Sequence, residues 1–292
     1  MPSSATLILC TKDGGRQLKN CLEHIEAIEA PDGFEVILVD NGSDKPDSIA
    51  ALRSFAGSTR HRCMLVREMA PGNGAGRNTG IRAATNDLLI FIDDDCYPEP
   101  SFVADWIAVF ESRSLGYATG RVLPVNPDNA IHGFCRIGLQ EELVAPHGFV
   151  RPGLMQGSNM AFTRQCLDAI GGFDPLFGSG VRYAGEDWDV ALRASEAGFA
   201  GGYVPRPAVG HDHGRSIEEG ARRNAFYVFG FGAVYAKHAR SRLGTSMLRR
   251  FLRQSIGPKT VSRWRLMAGF LDYLIKHRWG LAGAIRAGDP AT

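Results

Sequence analysis

No C-x-x-C pair occurs among the six cysteines of this 292-residue chain, Cys10, Cys21, Cys63, Cys96, Cys135 and Cys166. Their scatter argues against a zinc ribbon or a thioredoxin-like motif and fits a reducing compartment. No apolar stretch reaches the ~18 residues of a membrane span. The longest, Ala225 to Tyr235, is expected to be a buried or interfacial helix. A signal peptide is not expected either, since Met1–Ala5 is short and polar and a strand-like run follows at once. Internal repeats and low-complexity segments are missing. At 44% apolar and 22% charged residues, disordered, collagen-like and disulfide-scaffold classes drop out. What remains is a globular protein long enough for one large or two small domains with a sizeable core.

Net charge is also nearly absent, at +2, but it is unevenly spread. From Arg215 onward there are 15 Lys or Arg against 4 Asp or Glu, whereas the first 214 residues carry 18 against 27. A basic tail on an acidic body suits an anionic partner or a solvated helical face. Nucleic acid is not expected, because no binding motif accompanies the charge.

Strand and helix signals alternate through the first hundred residues. ATLILC (5–10), FEVILVD (34–40), CMLVRE (63–68) and DLLIFID (87–93) read as strands. Between them lie a stripe of Leu18, Cys21, Leu22, Ile25 and Ile28, a short helix near 47–56, and a glycine-rich bend into a helix through Ile81 and Ala84. A helix carrying Phe102, Trp106 and Phe110 follows. This order predicts an α/β fold, a mainly parallel Rossmann-like sheet with helices on both faces. Further on, 116–125 and 155–163 read as strands, a helix is expected near 130–142, and another ends at Gly198. From about Ser216 the chain reads as basic amphipathic helices broken at Gly244 and near Gly257-Pro258. The expected division is 1–215, with a nucleotide-binding half at 1–98 and an acceptor-binding half at 99–215, followed by a helical extension at 216–292.

Three strand runs end in polar residues: Thr11 and Asp13, Asp40 and Asn41, and Asp93-Asp94-Asp95. Parallel strands would align these groups along one sheet edge, where open α/β sheets bind ligands. Each Asp alone fits a turn or helix cap. Three adjacent carboxylates at a half-buried strand end are a different matter. They repel one another unless a cation neutralises them, and Mg²⁺ or Mn²⁺ suits oxygen ligands of that kind.

The ordered set TKD (11–13), VDNGSD (39–44), GNGAGRNTGI (72–81), FIDDDC (91–96), GSNMAF (157–162), GGFDPLFGSG (171–180) and GEDWDVALRASEAG (185–198), with His211 and His213, resembles the family 2 nucleotide-sugar glycosyltransferases of GT-A fold. The resemblance covers about residues 4–225. It implies an inverting, metal-dependent transfer of a sugar from a UDP- or dTDP-sugar to an acceptor hydroxyl, in the assembly of a polysaccharide, glycolipid or other glycoconjugate. Asp187 then resembles the general base, and Glu186 the residue that orients the acceptor or the loop. Thr11, Asp13, Asp40, Asn41, Asp93, Asp94, Gly157 and Asn159 would line the donor, and Ser158 and Trp188 the acceptor. Trp188 fits core packing as well. Asp95, Asp93 and His211 or His213 would hold Mn²⁺ or Mg²⁺. Arg77 stands where a dinucleotide fingerprint needs its third glycine, which disfavours that ligand. It is expected either to brace the acidic edge or a phosphate, or to be an exposed helix-start Arg.

The acceptor is expected to be a glycan, a lipid-linked sugar or a small molecule, and the compartment the cytoplasm. The basic helices (Arg249, Arg250, Arg253, Arg263, Arg265) and the aromatic run Phe226, Tyr227, Phe229, Phe231 and Tyr235 would touch the inner face of the membrane, form a homodimer contact or only cap the domain. Two other readings are a sugar-phosphate nucleotidyltransferase, whose signature Lys12-Asp13-Gly14-Gly15 matches poorly, and a non-catalytic binding module, which intact Asp95 and Asp187 oppose.

Overall fold

The structure, a computed structural model, describes residues 4–30, 33–126, 135–214, 217–256 and 262–277. It divides into two units, residues 1–181 with 186–220, and residues 182–185 with 221–292.

The first unit is built on strands β1 (Ala5–Thr11), β2 (Glu35–Asp40), β3 (Arg62–Arg67), β4 (Leu88–Asp93), β5 (Cys96–Pro98), β6 (Tyr117–Pro124), β7 (Glu142–Val144), β8 (Asn159–Thr163) and β9 (Gly201–His211). They form one sheet in the order β3-β2-β1-β4-β8-β6-β9-β5, with β7 on β9. Every residue of β1 and β2 is buried. That is why these strands read as continuous apolar runs, since a parallel strand covered on both faces has no solvent side. The sheet is parallel across β3, β2, β1 and β4. It turns mixed beyond them, because β8 runs antiparallel to both β4 and β6.

Helices α1 (Arg16–Glu26), α2 (Pro46–Ser58), α3 (Asn73–Ala83), α4 (Phe102–Ser112), α5 (Arg164–Ile170) and α6 (Glu186–Glu196) flank this sheet. α1 buries Leu18, Cys21, Leu22 and Ile25, the i, i+3, i+4, i+7 stripe of a one-sided helix. α3 lies so close to β1 and β2 that a Cβ on Gly80 would collide with Ile8 Cγ2. α5 starts at Thr163, whose side chain accepts from the Cys166 N–H at 3.2 Å, and stops at Gly171 in the left-handed region (φ 74°).

The helix expected over 130–142 is absent from its described part. Arg136 instead bridges Val122 in a short antiparallel contact, and Glu142 opens β7. Strand pairing satisfies the backbone there better than a helix with little apolar stripe to bury; residues 127–134 lie outside the described residues.

The second unit comprises α7 (Ile217–His238) from residue 221, α8 (Gly244–Ile256) and α9 (Arg263–His277). Val228, Ala233, Val234, Tyr235 and Ala236 of α7 are buried. Phe251 stacks on Phe270 at 4.3 Å, and α7 meets α9 at Gly232 and Gly269, where any Cβ would strike the opposing backbone. Of the aromatic run of α7 Tyr235 is buried, and Phe226, Tyr227, Phe229 and Phe231 are half-buried. Residues 182–185 belong to this unit: Arg182 and the Tyr183 hydroxyl donate to Asp272 at 2.6–2.7 Å, and Tyr183 stacks on Phe229. Among the described residues no helix is long and apolar enough to cross a membrane.

Candidate active site

Parallel register brings the three strand ends together. Thr11 pairs with Asp40, and Cys10 with Asp93, so the polar residues at the ends of β1, β2 and β4 share one edge. The Thr11 hydroxyl donates to Asp94 Oδ2 in a short contact. Asp94 is nonetheless pushed up to about 7, by partial burial first and by the neighbouring Asp95 and Asp93 charges after it. Burial likewise raises Asp93, against the pull of Arg77.

Arg77 is the pivot of this edge. It is 1% exposed, and its Nη2 donates to Asp93 Oδ1 at 3.0 Å and its Nη1 to Glu186 Oε1 at 3.0 Å. Nη2 also reaches the Gly157 carbonyl at 3.3 Å, and the guanidinium lies 5.4 Å from the Phe173 ring centroid. The exposed helix-start alternative is thereby excluded: α3 turns Arg77 inward. One cation so ties the strand-end acids to the acidic pair that opens α6.

Asp187, the second member of that pair, is held at both oxygens. Oδ1 accepts from the Trp188 N–H at 2.8 Å and Oδ2 from the Gly157 N–H at 3.3 Å. Each oxygen keeps a second lone pair. Burial, and then the Glu186 charge, push Asp187 up to about 7 in spite of those hydrogen bonds and Arg77. A carboxyl so tuned exchanges a proton near neutrality.

The fourth component comes from the far side of the sheet. β5 pairs antiparallel with β9, placing Cys96 opposite His211. His211 Nε2 lies 3.3 Å from Asp95 Oδ1, and Asp95, Cys96 and His211 offer ligand atoms all within 4.8 Å of one another. Burial opposes the imidazolium, but the hydrogen bonds to Asp95 and Cys135 and the Asp95 and Asp93 charges together outweigh it and push His211 up to about 10. Burial holds the Cys96 thiol well above its ordinary range, so it is a poor thiolate donor. The set that fits a cation is carboxylate and imidazole, oxygen and nitrogen ligands suited to Mn²⁺. His213 is buried beside His211, with ring centroids 5.5 Å apart.

Other expected site residues have structural partners. Asp13 Oδ1 accepts from the Asp44 and Lys45 N–H groups at 2.8 and 2.7 Å, which hold its carboxyl below the usual range and seat the start of α2. Asp40 accepts from Ser43 N–H and faces Arg67 at 3.3 Å. Asn41 spends its amide on the Glu68 and Ala70 carbonyls. Two further residues are engaged in packing. Asn159 is fully buried and its amide donates to the carbonyls of Arg121 and Pro207, so it fastens the sheet. Trp188 is 1% exposed with its indole N–H on the Val150 carbonyl, so no ring face is left for a sugar. Ser158 is buried next to Gly157. Sequence reasoning did not find Cys96 beside the cation cluster. Its position directly after the acidic triplet was the available signal, but the β5–β9 register is not written locally.

Residues 6–136 match the family model described as glycosyl transferase family 2, and residues 88–283 that of glycosyl transferase family group 2. The pre-mycofactocin glycosyltransferase of Mycobacterium tuberculosis (strain ATCC 25618 / H37Rv) is 29% identical over 213 residues, 70% of this chain and 43% of that protein. Glycosyltransferase AglE of Haloferax volcanii is 27% identical over 119 residues, 40% of this chain and 38% of AglE. The chain thus spans less than half the length of either curated relative. In three dimensions it is similar to the mannosyltransferase PcManGT from Pyrobaculum calidifontis, in complex with GDP-Man and Mn²⁺, with TM-score 0.65, 19% identity, and 98% of this chain and 76% of that one covered. S. aureus TarS 1-349 in complex with UDP-GlcNAc gives TM-score 0.67 and 14% identity over 93% of this chain and 80% of that one. These likenesses fix the GT-A fold.

Proposed function

We propose, from the premise that the chain belongs to the family 2 glycosyl transferases, that it transfers a sugar from a nucleoside-diphosphate donor to an acceptor hydroxyl with inversion. The observation that carries this reading is the double engagement of Arg77. It joins Asp93, on the proposed donor side, to Glu186, the neighbour of the proposed base Asp187, through one buried cation.

Asp187 takes the proton from the acceptor hydroxyl as that oxygen attacks the anomeric carbon. The bond from that carbon to the diphosphate breaks on the opposite face. The reaction is a single displacement, and an α-linked donor gives a β-linkage. A positioned base of this kind contributes about 10²–10⁴-fold. Glu186 is locked to Arg77 and keeps a negative charge beside Asp187, which helps hold the base's proton affinity near neutrality. Thr11, Asp40 and Asp94 line the edge proposed to take the donor nucleotide. Asp95 and His211, with Asp93, would hold Mn²⁺ or Mg²⁺, which when bound offsets charge on the departing diphosphate. The donors are UDP- or dTDP-sugars, with GDP-sugars added because PcManGT was solved with GDP-Man. The acceptor is a glycan, a lipid-linked sugar or a small molecule.

The test is a thermal-shift screen of UDP, dTDP and GDP with their sugars, each with and without Mn²⁺, followed by product analysis. Differential binding to the folded state raises the melting temperature. A Mn²⁺-dependent shift together with release of free nucleoside diphosphate supports the transferase. Release of pyrophosphate would assign a nucleotidyltransferase, and no shift with any nucleotide would leave a binding module.

A further inference from the structure

We infer that the outer faces of α9 and α8 form a docking surface for an anionic lipid bilayer, on which the two helices lie in the plane of the interface. On α9, Trp264, Met267, Leu271, Leu274 and Ile275 are all exposed, Trp264 at 81% and Ile275 at 72%. At 3.6 residues per turn they fall within an arc of about 100°. Arg265 and Lys276 border this arc on one side. Asp272, which in projection lies between the arc and these two cations, is engaged by Arg182. The remaining sector, with Leu266, Gly269 and Phe270, packs inside the unit. On α8, exposed Leu248 and Leu252 adjoin Arg249 and Arg253. Seven of the fourteen exposed large hydrophobic residues among the described residues therefore sit on these two helices. Single exposed apolar residues are ordinary, but a concentration on one helix face marks an interaction surface.

The surface differs from the one expected from the sequence. The aromatic run of α7 is half-buried or, at Tyr235, buried, and α9 supplies the exposed apolar face.

Charge selects the occupant. A second copy would bring the same cations, Arg249, Arg253, Arg265 and Lys276, towards themselves, whereas an anionic headgroup layer neutralises them while the acyl boundary takes the apolar stripe. A nucleic acid would leave the stripe wet. Tryptophan at the edge of such a face is at home at headgroup depth. No described helix is long and apolar enough to cross a bilayer.

The test uses the full chain and does not depend on activity. Sedimentation with phosphatidylcholine vesicles is compared with sedimentation with vesicles that also contain phosphatidylglycerol. Binding is expected only to the latter. Leu271→Gln with Ile275→Gln should lower partitioning about tenfold or more, and Arg249→Gln with Arg253→Gln about fivefold per charge. All four positions are exposed, and unchanged circular dichroism and melting temperature confirm folding. Equal binding to both vesicle types overturns the inference, as does full binding by the Leu271/Ile275 variant. A concentration-dependent dimer abolished by those two substitutions, without vesicle binding, also overturns it and assigns the face to a second copy.

Discussion

Replacing Arg77 with Met removes a buried charge while nearly preserving chain length and apolar packing against Phe173. Two carboxylates then lose their cation. Asp93 keeps about a third of its side chain exposed and can be partly rehydrated, whereas the Glu186 side chain is only 12% exposed. The main penalty therefore falls on Glu186. Removing one partner of a buried pair costs about 3–5 kcal/mol. Given the partial exposure of Asp93, the lower end applies, about 3 kcal/mol at pH near 8. For a unit of this size that lowers the melting temperature by roughly 6–12 °C.

The sign with pH follows from linkage. Burial already raises Asp93 and Arg77 is the charge that pulls it back, so in the variant the folded state holds the Asp93 proton more tightly than the unfolded chain does and stability falls as pH rises. The Asp93 part of the deficit is therefore greatest above its raised folded value and closes in acid, once that group is protonated in both states. Urea unfolding followed by circular dichroism, at pH near 8 and again near 5, measures it. A loss under about 1 kcal/mol, or an equal loss at both pH values, would show that Arg77 acts by packing alone.

The remaining predictions concern chemistry and packing. Asp187→Asn should reduce turnover by about 10²–10⁴-fold with donor affinity by calorimetry nearly unchanged; retention of most turnover would remove Asp187 as base. In the parent, kcat/KM should rise with pH and level off above about 7, where Asp187 becomes a carboxylate; a profile flat from pH 5 to 8 contradicts that assignment. Asp95→Ala and His211→Ala should weaken Mn²⁺-dependent nucleotide binding. Because His211 is protonated to about 10, Mn²⁺ affinity in the parent should climb with pH through the neutral range and climb less in His211→Ala. Gly80→Ala gains about 1 kcal/mol of helix propensity but drives a methyl into Ile8, with Val39 Cγ2 at 3.3 Å. Overpacking of that kind costs about 1–3 kcal/mol, so net destabilisation is expected on denaturant unfolding.

The strands and the acidic edge were legible for the same reason. β1, β2 and β4 are buried along their length, so each is an unbroken apolar run whose first polar residue marks the carboxyl end, and parallel pairing aligns those ends without further information. The acidic pair at Glu186-Asp187 was legible only through its resemblance to a family, because acids at a helix start have an ordinary electrostatic use. What the sequence could not reveal depends on long-range register or side-chain direction. His211 meets Asp95 because β5 and β9 pair across more than a hundred residues. Asn41, Asn159 and Trp188 sit at motif positions, yet their polar atoms turn to backbone carbonyls of distant strands and loops. For Arg77 the sequence leaves open a brace for the acidic edge or an exposed helix start, and the close approach of α3 to the sheet, which turns it inward, decides between them.

The four residues Arg182–Gly185 belong with the C-terminal helices although the sheet unit resumes at Glu186. The helical unit is thus assembled from two pieces of sequence, and its smaller piece ends one peptide bond before the acidic pair. Inheritance by recombination is constrained accordingly. A single crossover after Gly220 would exchange the helices but leave behind Arg182 and Tyr183, shaped to an Asp272 the new helices need not carry. A chimera meant to change the C-terminal helices of this chain should therefore carry 182–185 across with them, as one cassette in two parts.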